Sequence, residues 1–360
     1  MSEKSFYRAF EDRHRGSREL IKSRLDVYRS FIKPLIHSVE RSYGIDLGCG
    51  RGEWLEILEE MGISGLGVDL DPGMLSSCSE RGLKAIQGDA IAYLATLEDE
   101  SQIVVSAFHM VEHISFDQLQ NLVQEAHRVL KPGGLLIMET PNPENIMVAT
   151  CSFYLDPTHT RPIPPDLLLF LTEFCNFSRS KILRLQEDVQ TIQSTSLNLN
   201  HVLGGASPDY AVIAQKAAAE DIQSKCDYAF SLNYGVDTIT IATNYSDQQN
   251  QKLFRLEEAE STLKAIYSSF SWRITRPLRW FGNLCRKFRR RSNLSSLKFL
   301  LRKRYFRTLG GVILVRRLES SAREFLHFSA CHLSRKPDTD KTNSLSSEAQ
   351  KIYAKLKAKA

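Results

Sequence analysis

Ile45-Asp46-Leu47-Gly48-Cys49-Gly50-Arg51-Gly52 is the stretch on which the fold turns. It reads as the end of a buried strand, a glycine-rich turn, and a helix opening near Glu53. Glycines let backbone approach a ligand where a Cβ would collide, and the free N–H groups of a helix start polarise that spot. Three further signals follow in order. Gly67-Val68-Asp69-Leu70-Asp71 ends a second apolar run with carboxylates. Gly88-Asp89-Ala90 follows Lys84-Ala85-Ile86-Gln87, and Ile103-Val104-Val105-Ser106-Ala107-Phe108 runs into His109-Met110-Val111-Glu112-His113. Short apolar runs alternating with helical segments across residues 43–140 are the rhythm of a parallel sheet. Phe116 to Val129 is amphipathic and is stopped by Lys131-Pro132-Gly133-Gly134. Leu135 to Glu139 is then a fifth strand. Lys181 to Gln186 and Tyr210 to Gln215 read as a closing strand pair around a polar insert, 187–209.

As a set, these motifs resemble class I S-adenosylmethionine (SAM)-dependent methyltransferases over roughly residues 40–217. The resemblance implies an α/β fold with a Rossmann-like seven-stranded sheet, N-terminal helices and a helical, basic C-terminal extension. It implies SAM as cofactor and S-adenosylhomocysteine as product. Gly48 and Gly50 would pass close to the methionine moiety, and Asp69 would accept from both ribose hydroxyls. Asp89 would meet the adenine amine, with the Ala90 N–H on a ring nitrogen. Asp46, Cys49, Leu70, Asp71, Met74, Gly88 and Phe108 complete the implied cofactor site. A carboxylate suits a diol because it offers acceptors only, and its charge strengthens each bond. The rival NAD-binding fingerprint needs G-x-G-x-x-G, and its third glycine position falls here among Trp54 and its neighbours.

The first 40 residues read as helices, broken at Gly16-Ser17, with Ser17 as a cap. Arg18 is the candidate for the cofactor carboxylate; its alternative is an exposed arginine on a packing helix. On the acceptor side, ligands in open α/β sheets sit beyond the carboxyl ends of strands. His109 and His113 are therefore base candidates for a hydroxyl acceptor, the alternative being a helix cap or a backbone bond. A proline-stiffened loop adds Asp156, His159 and Arg161, with His159 a third catalytic candidate and lid folding the alternative. No third and fourth ligand stand at clear spacing, so no metal is expected.

Phe6 to Glu19, Phe108 to Ile114, Glu139 to Asn145 and Asp156 to His159 resemble the methyltransferase domain of bacterial lipopolysaccharide O-antigen chain terminators. Those enzymes cap a polymannan, and some carry a kinase, a coiled coil and a membrane-binding C-terminus. After residue 217 this chain has no histidine-arginine-aspartate loop and no aspartate-phenylalanine-glycine motif, so a protein kinase does not fit. The resemblance implies O-methylation of a terminal sugar hydroxyl or sugar phosphate. A small-molecule methyltransferase acting on a quinone or lipid at the membrane, and a scaffold recruiting a polysaccharide polymerase, are the alternatives.

Charge is distributed unevenly. Residues 1–260 carry 23 basic against 37 acidic side chains, whereas 261–318 carry 16 basic and none acidic. Such a segment meets something anionic. Trp272, Trp280, Phe281, Leu284 and Phe288 among its arginines suit an anionic bilayer surface, with Leu309 to Val315 too short to span it. Nucleic acid is the disfavoured reading, and a partner protein or the chain's own acidic body is the remaining one. Leu256, Ala259, Leu263, Ile266 and Phe270 make a short heptad seam, for a homo-oligomer or for packing on the body. The expected domains are a cap (1–40), a methyltransferase domain (41–217), a weakly structured linker (218–250) in which Thr238 to Thr243 looks strand-like, a heptad helix (251–270), a membrane-associating region (271–333) and a disordered tail (334–360). Seven scattered cysteines without a C-x-x-C pair, no apolar leader and no uncharged apolar run long enough to span place the protein in the cytoplasm, peripheral on the inner face of the cytoplasmic membrane. Its expected partners are a glycan or glycolipid acceptor, that membrane and a polysaccharide polymerase.

Overall fold

A computed structural model describes residues 16–36, 42–188 and 196–289. The expectations for 1–15, for 290–333 with its apolar run, and for the tail 334–360 lie outside the described residues. The chain divides into two units, Met1–Glu258 and Ala259–Ala360.

Among the described residues the first unit holds seven strands: β1 (Tyr43–Leu47), β2 (Ser64–Asp69), β3 (Ala85–Gln87), β4 (Gln102–Phe108), β5 (Leu130–Pro141), β6 (Arg179–Leu185) and β7 (Asp209–Gln215). They form one sheet in the order β3-β2-β1-β4-β5-β7-β6. The first five run parallel, β7 is antiparallel to β5, and β6 is antiparallel to β7. This is the Rossmann-like seven-stranded sheet that the motif order implies. β4 is buried along its whole length, as a central strand covered on both faces must be. Its alternation feeds two cores: Val105 and Ala107 enter one, Val104 and Phe108 the other.

The helices that cover the sheet have local causes. α1 (Arg18–Leu25) starts at Ser17, whose hydroxyl accepts from the Leu20 N–H. α2 (Arg29–Ile36) buries Phe31, Ile32 and Leu35. After β1 comes α3 (Glu53–Glu60), which buries Trp54, Leu55, Ile57 and Leu58. α4 (Pro72–Ser79) begins at Asp71 and α5 (Ala90–Leu94) at Asp89. α6 (Phe116–Val129) opens with a capping box between Ser115 and Gln118 and buries Leu119, Leu122, Val123, Ala126 and Val129. α7 (Ile146–Thr150) and α8 (Pro165–Phe174) follow β5, and α9 (Leu199–Gly204) occupies part of the insert expected as loop. Phe108, Tyr28 and Trp54 meet as an aromatic cluster with ring centroids 5.1 to 5.9 Å apart.

Residues 218–250 differ from the expected linker. They contain α10 (Glu220–Gln223), α11 (Asp227–Ser231) and the start of α12 (Thr238–Ser268). Cys226 and Ala229 are buried in the core beside α2, where the Cys226 thiol donates to the Phe31 carbonyl. The β-branched run 238–243 has strand propensity, but Asp237 accepts from the Thr240 N–H at the helix start, and only Ile241 is buried in that run. Local capping and a single core contact outweigh the propensity.

In the second unit, α12 stops at Ser268 and Ser269 caps α13 (Phe270–Ile274), so the heptad pattern is interrupted. Leu256, Leu263, Ile266 and Phe270 are exposed. α14 (Arg276–Arg289) exposes Leu278, Trp280 and Phe281, and the Arg279 guanidinium lies 3.5 Å from the Trp272 ring centre. The side chains of Leu284 and Phe288 lie outside the described residues. No helix among the described residues is long and apolar enough to cross a membrane.

Candidate functional site

The carboxyl ends of β1, β2 and β4 gather the glycine loop, Asp69 and His109 at the point where strand order reverses. The Gly48 and Cys49 N–H groups both donate to the Val68 carbonyl, which folds the loop back over β2. Gly50 donates to Asp69 Oδ2 and the Asp71 N–H to Asp69 Oδ1, each at 2.8 Å. A carboxylate has about four lone-pair sites, so two backbone bonds are compatible with a diol on the same group. Two glycines have no substitute here. At Gly52 φ is +81° and a Cβ would stand 2.8 Å from Leu83 and 2.9 Å from Cys78. At Gly67 a Cβ would stand 2.4 Å from the Cys49 sulfur.

The remaining cofactor candidates sort into edge and interior. Leu70 is exposed beside Asp69, and Asp89 is exposed with Oδ1 capping α5 through the Ile91 and Ala92 N–H groups. Asp71 caps α4 through the Gly73 N–H. Gly88 donates to the Asp69 carbonyl and Ala90 begins α5. Asp46, Cys49, Met74 and Phe108 are buried. Asp46 accepts from the Ser106 hydroxyl at 2.7 Å, which ties β1 to β4. Its contact with Cys78 and its burial push the Cys49 thiol pKa up. Arg18 is neither exposed nor unengaged. It donates to the Arg51 carbonyl at 2.6 Å and to Glu56 at 2.7 Å, with Glu53 at 3.5 Å. It therefore anchors α1 to α3 beside the glycine loop.

On the acceptor side, the three histidines differ in state. His109 has φ +52°, unusual for a residue with a side chain, and its N–H donates to the Glu139 carbonyl. Its ring stands between Glu112 (3.4 Å) and Glu139 (3.5 Å). Burial opposes its charge, yet the two carboxylates outweigh burial and hold the imidazole pKa well above its usual value. The raised pKa favours the protonated ring, a form that holds charge rather than takes a proton. Glu139 also accepts from Tyr28 and from Gln186. Asp209, nearby, is raised to about 6 by burial.

His113 lies in different surroundings. Thr158 has one hydroxyl proton and gives it to Asp156 Oδ1 at 2.6 Å. Toward His113 Nδ1, 2.9 Å away, the same oxygen is therefore the acceptor. His113 then carries its proton on Nδ1 and presents a lone pair on Nε2. Burial, reinforced by His159, lowers its pKa, so the neutral ring is favoured. His159 Nδ1 lies 2.6 Å from the Phe153 carbonyl, an acceptor only, so its neutral ring also leaves Nε2 bare. The two rings are edge to face at 4.7 Å. Arg161 stacks on Phe116 and sits outside this arrangement. Glu112, fully buried between the histidines, connects the two clusters: Oε2 accepts from Thr140 at 2.9 Å and Oε1 has no hydrogen-bond partner. Glu112 stands between two histidines in His109-Met110-Val111-Glu112-His113, and an acid in that place was the signal the sequence offered for it. Thr158 was also legible beside His159. Nothing in the sequence pairs Glu139 or Asp209 with His109.

The family model for a methyltransferase domain matches residues 45–138, the span from β1 to β5. A crystal structure of a SAM-dependent methyltransferase from Archaeoglobus fulgidus is 33% identical, covers 59% of this chain and all of its own, and superposes with a TM-score of 0.53. A probable SAM-dependent methyltransferase of Mycolicibacterium smegmatis is 31% identical over 37% of this chain and 51% of its own length. A ubiquinone biosynthesis O-methyltransferase of Leptothrix cholodnii is 25% identical over 44% of this chain and 66% of its own. The chain spans roughly half to two thirds of the length of these two curated relatives.

Proposed function

The chain belongs to the class I SAM-dependent methyltransferases, and on that premise we propose that it O-methylates a hydroxyl of a terminal sugar in a cell-envelope glycan, the O-antigen capping reaction. Asp69 takes the ribose diol, the loop from Gly48 to Gly50 passes the methionine, and Asp89 Oδ2 meets the adenine amine. Methyl leaves the SAM sulfonium as a sugar oxygen attacks in line; the sulfur keeps the bonding pair and becomes the thioether of S-adenosylhomocysteine. The sugar hydroxyl must lose its proton on the way. One observation carries this reading: Thr158 and Asp156 fix His113 as the Nδ1–H tautomer, which leaves a lone pair on Nε2 in a side chain grouped with Glu112 and His159. A phosphate oxygen would need no such group. The basic, aromatic α14 supports working at an anionic membrane surface.

A quinol or other small phenol is the second reading, favoured by the ubiquinone biosynthesis O-methyltransferases among the relatives. The test is transfer of labelled methyl from SAM to mannose oligomers with and without a terminal phosphate, beside a catechol. The proposal expects label in the unphosphorylated oligomer and its loss in His113→Ala. Label only in the phosphorylated oligomer or only in the catechol overturns it.

A further inference from the structure

Ligand atoms of three side chains, Glu112, His113 and His159, converge beside the acceptor side, with Asp156 next to His159. Glu112 Oε1 and Asp156 Oδ2 each lie 3.9 Å from His159 Nε2. Ligand atoms of Glu112, His113 and His159 all fall within 4.8 Å of one another. The tautomers derived above leave bare lone pairs on both imidazoles. A buried carboxylate oxygen beside two imidazole lone pairs is a set of acceptors that a cation would bring together. Glu112 is wholly buried and its Oε1 accepts no hydrogen bond; the nearest cation is His109, at 3.4 Å. A buried carboxylate oxygen left so is costly.

We propose that Glu112, His113 and His159 bind one divalent transition-metal ion, with Asp156 beside His159. The atoms behind the ligands support it. Metal-ligating imidazoles hold their second ring nitrogen on a carbonyl, carboxylate or water, and ligating carboxylates are themselves hydrogen-bonded. Here His159 Nδ1 is on the Phe153 carbonyl, His113 Nδ1 on Thr158, Glu112 Oε2 on Thr140, and Asp156 Oδ1 on Thr158. An ion bridging a 3.9 Å separation at a tetrahedral angle would sit about 2.4 Å from each atom, a few tenths from ordinary zinc distances. Two imidazoles with a carboxylate suit zinc or manganese better than calcium, which takes oxygen alone. The inference rests on the cluster being the acceptor-activating site. It changes the means: an ion held there would meet the sugar oxygen in place of the imidazole and make its proton easier to lose, the proton passing to bulk water.

The experiment titrates Mn²⁺ and Zn²⁺ separately into the full chain after dialysis against a chelator, followed by calorimetry. One ion per chain is expected. His159→Ala and Glu112→Gln should each abolish saturable binding, and Thr158→Val should weaken it by about 10-fold. SAM affinity, measured alongside, should be unchanged in all three and shows that they fold. Absence of saturable binding, or wild-type binding in both ligand variants, overturns the site. A chain that binds no ion yet methylates the oligomer overturns the site and leaves the acceptor reading standing. A chain that binds the ion and labels no sugar does the reverse.

Discussion

Asp69 builds the turn it serves. Its two oxygens accept from Gly50 and Asp71, so one side chain both fixes the glycine loop and offers charged acceptors at the end of β2. Hydrogen bonds to a charged group contribute about 1.5–3 kcal/mol each. Loss of two to the ribose should therefore weaken SAM by about 100-fold or more in Asp69→Ala, read by calorimetry; a change under about threefold would remove the ribose role. Asp209 gives a pH signature. Its carboxyl is raised from 3.8 to about 6, so between those values the folded chain holds a proton that the unfolded chain has released. Stability then falls as pH rises from 4 to 6, by about 1–2 kcal/mol after allowance for solvent screening. Asp209→Asn should flatten that slope in urea titrations. Asp69 was legible because it ends an apolar run at a fixed distance from the glycine loop. Asp209 was not, because its setting comes from β5 and β4, which are far away in sequence.

At the scale of elements, sheet and helices were readable where period and capping agreed. Phe116 to Val129 has a helical apolar face and a Ser115 to Gln118 box, and both formed. Thr238 to Thr243 misled because side-chain branching favours strand, whereas Asp237 and the buried Ile241 favour helix. The turn into α3 is the most constrained element. Gly52→Ala places a side chain at φ +81° and against Leu83 and Cys78. It should cost about 2–4 kcal/mol from the left-handed conformation and overpacking together, seen as a lower urea midpoint. An unchanged midpoint would mean that the turn relaxes freely.

At the scale of the molecule, the chain joins an acidic body to a basic extension. The segment 261–318, with 16 basic and no acidic residues, should gain about 1 kcal/mol for each cation near an anionic surface. Truncation after Glu258 should keep SAM binding and lose co-sedimentation with phosphatidylserine vesicles, while the full chain sediments at low salt and is released at high salt. Equal sedimentation of both would dissociate the extension from membrane binding. The charge imbalance was plain in the sequence, because a count needs no fold. The meeting of His113, His159 and Glu112 was not, because the loop after β5 brings His159 back to the end of β4. The most direct test of the account is to supply SAM with a carbon-13 methyl and locate that methyl in the glycan product by NMR. The account predicts a methyl ether on a carbon of the terminal sugar. A methyl phosphate ester, or label confined to a phenol, would contradict it.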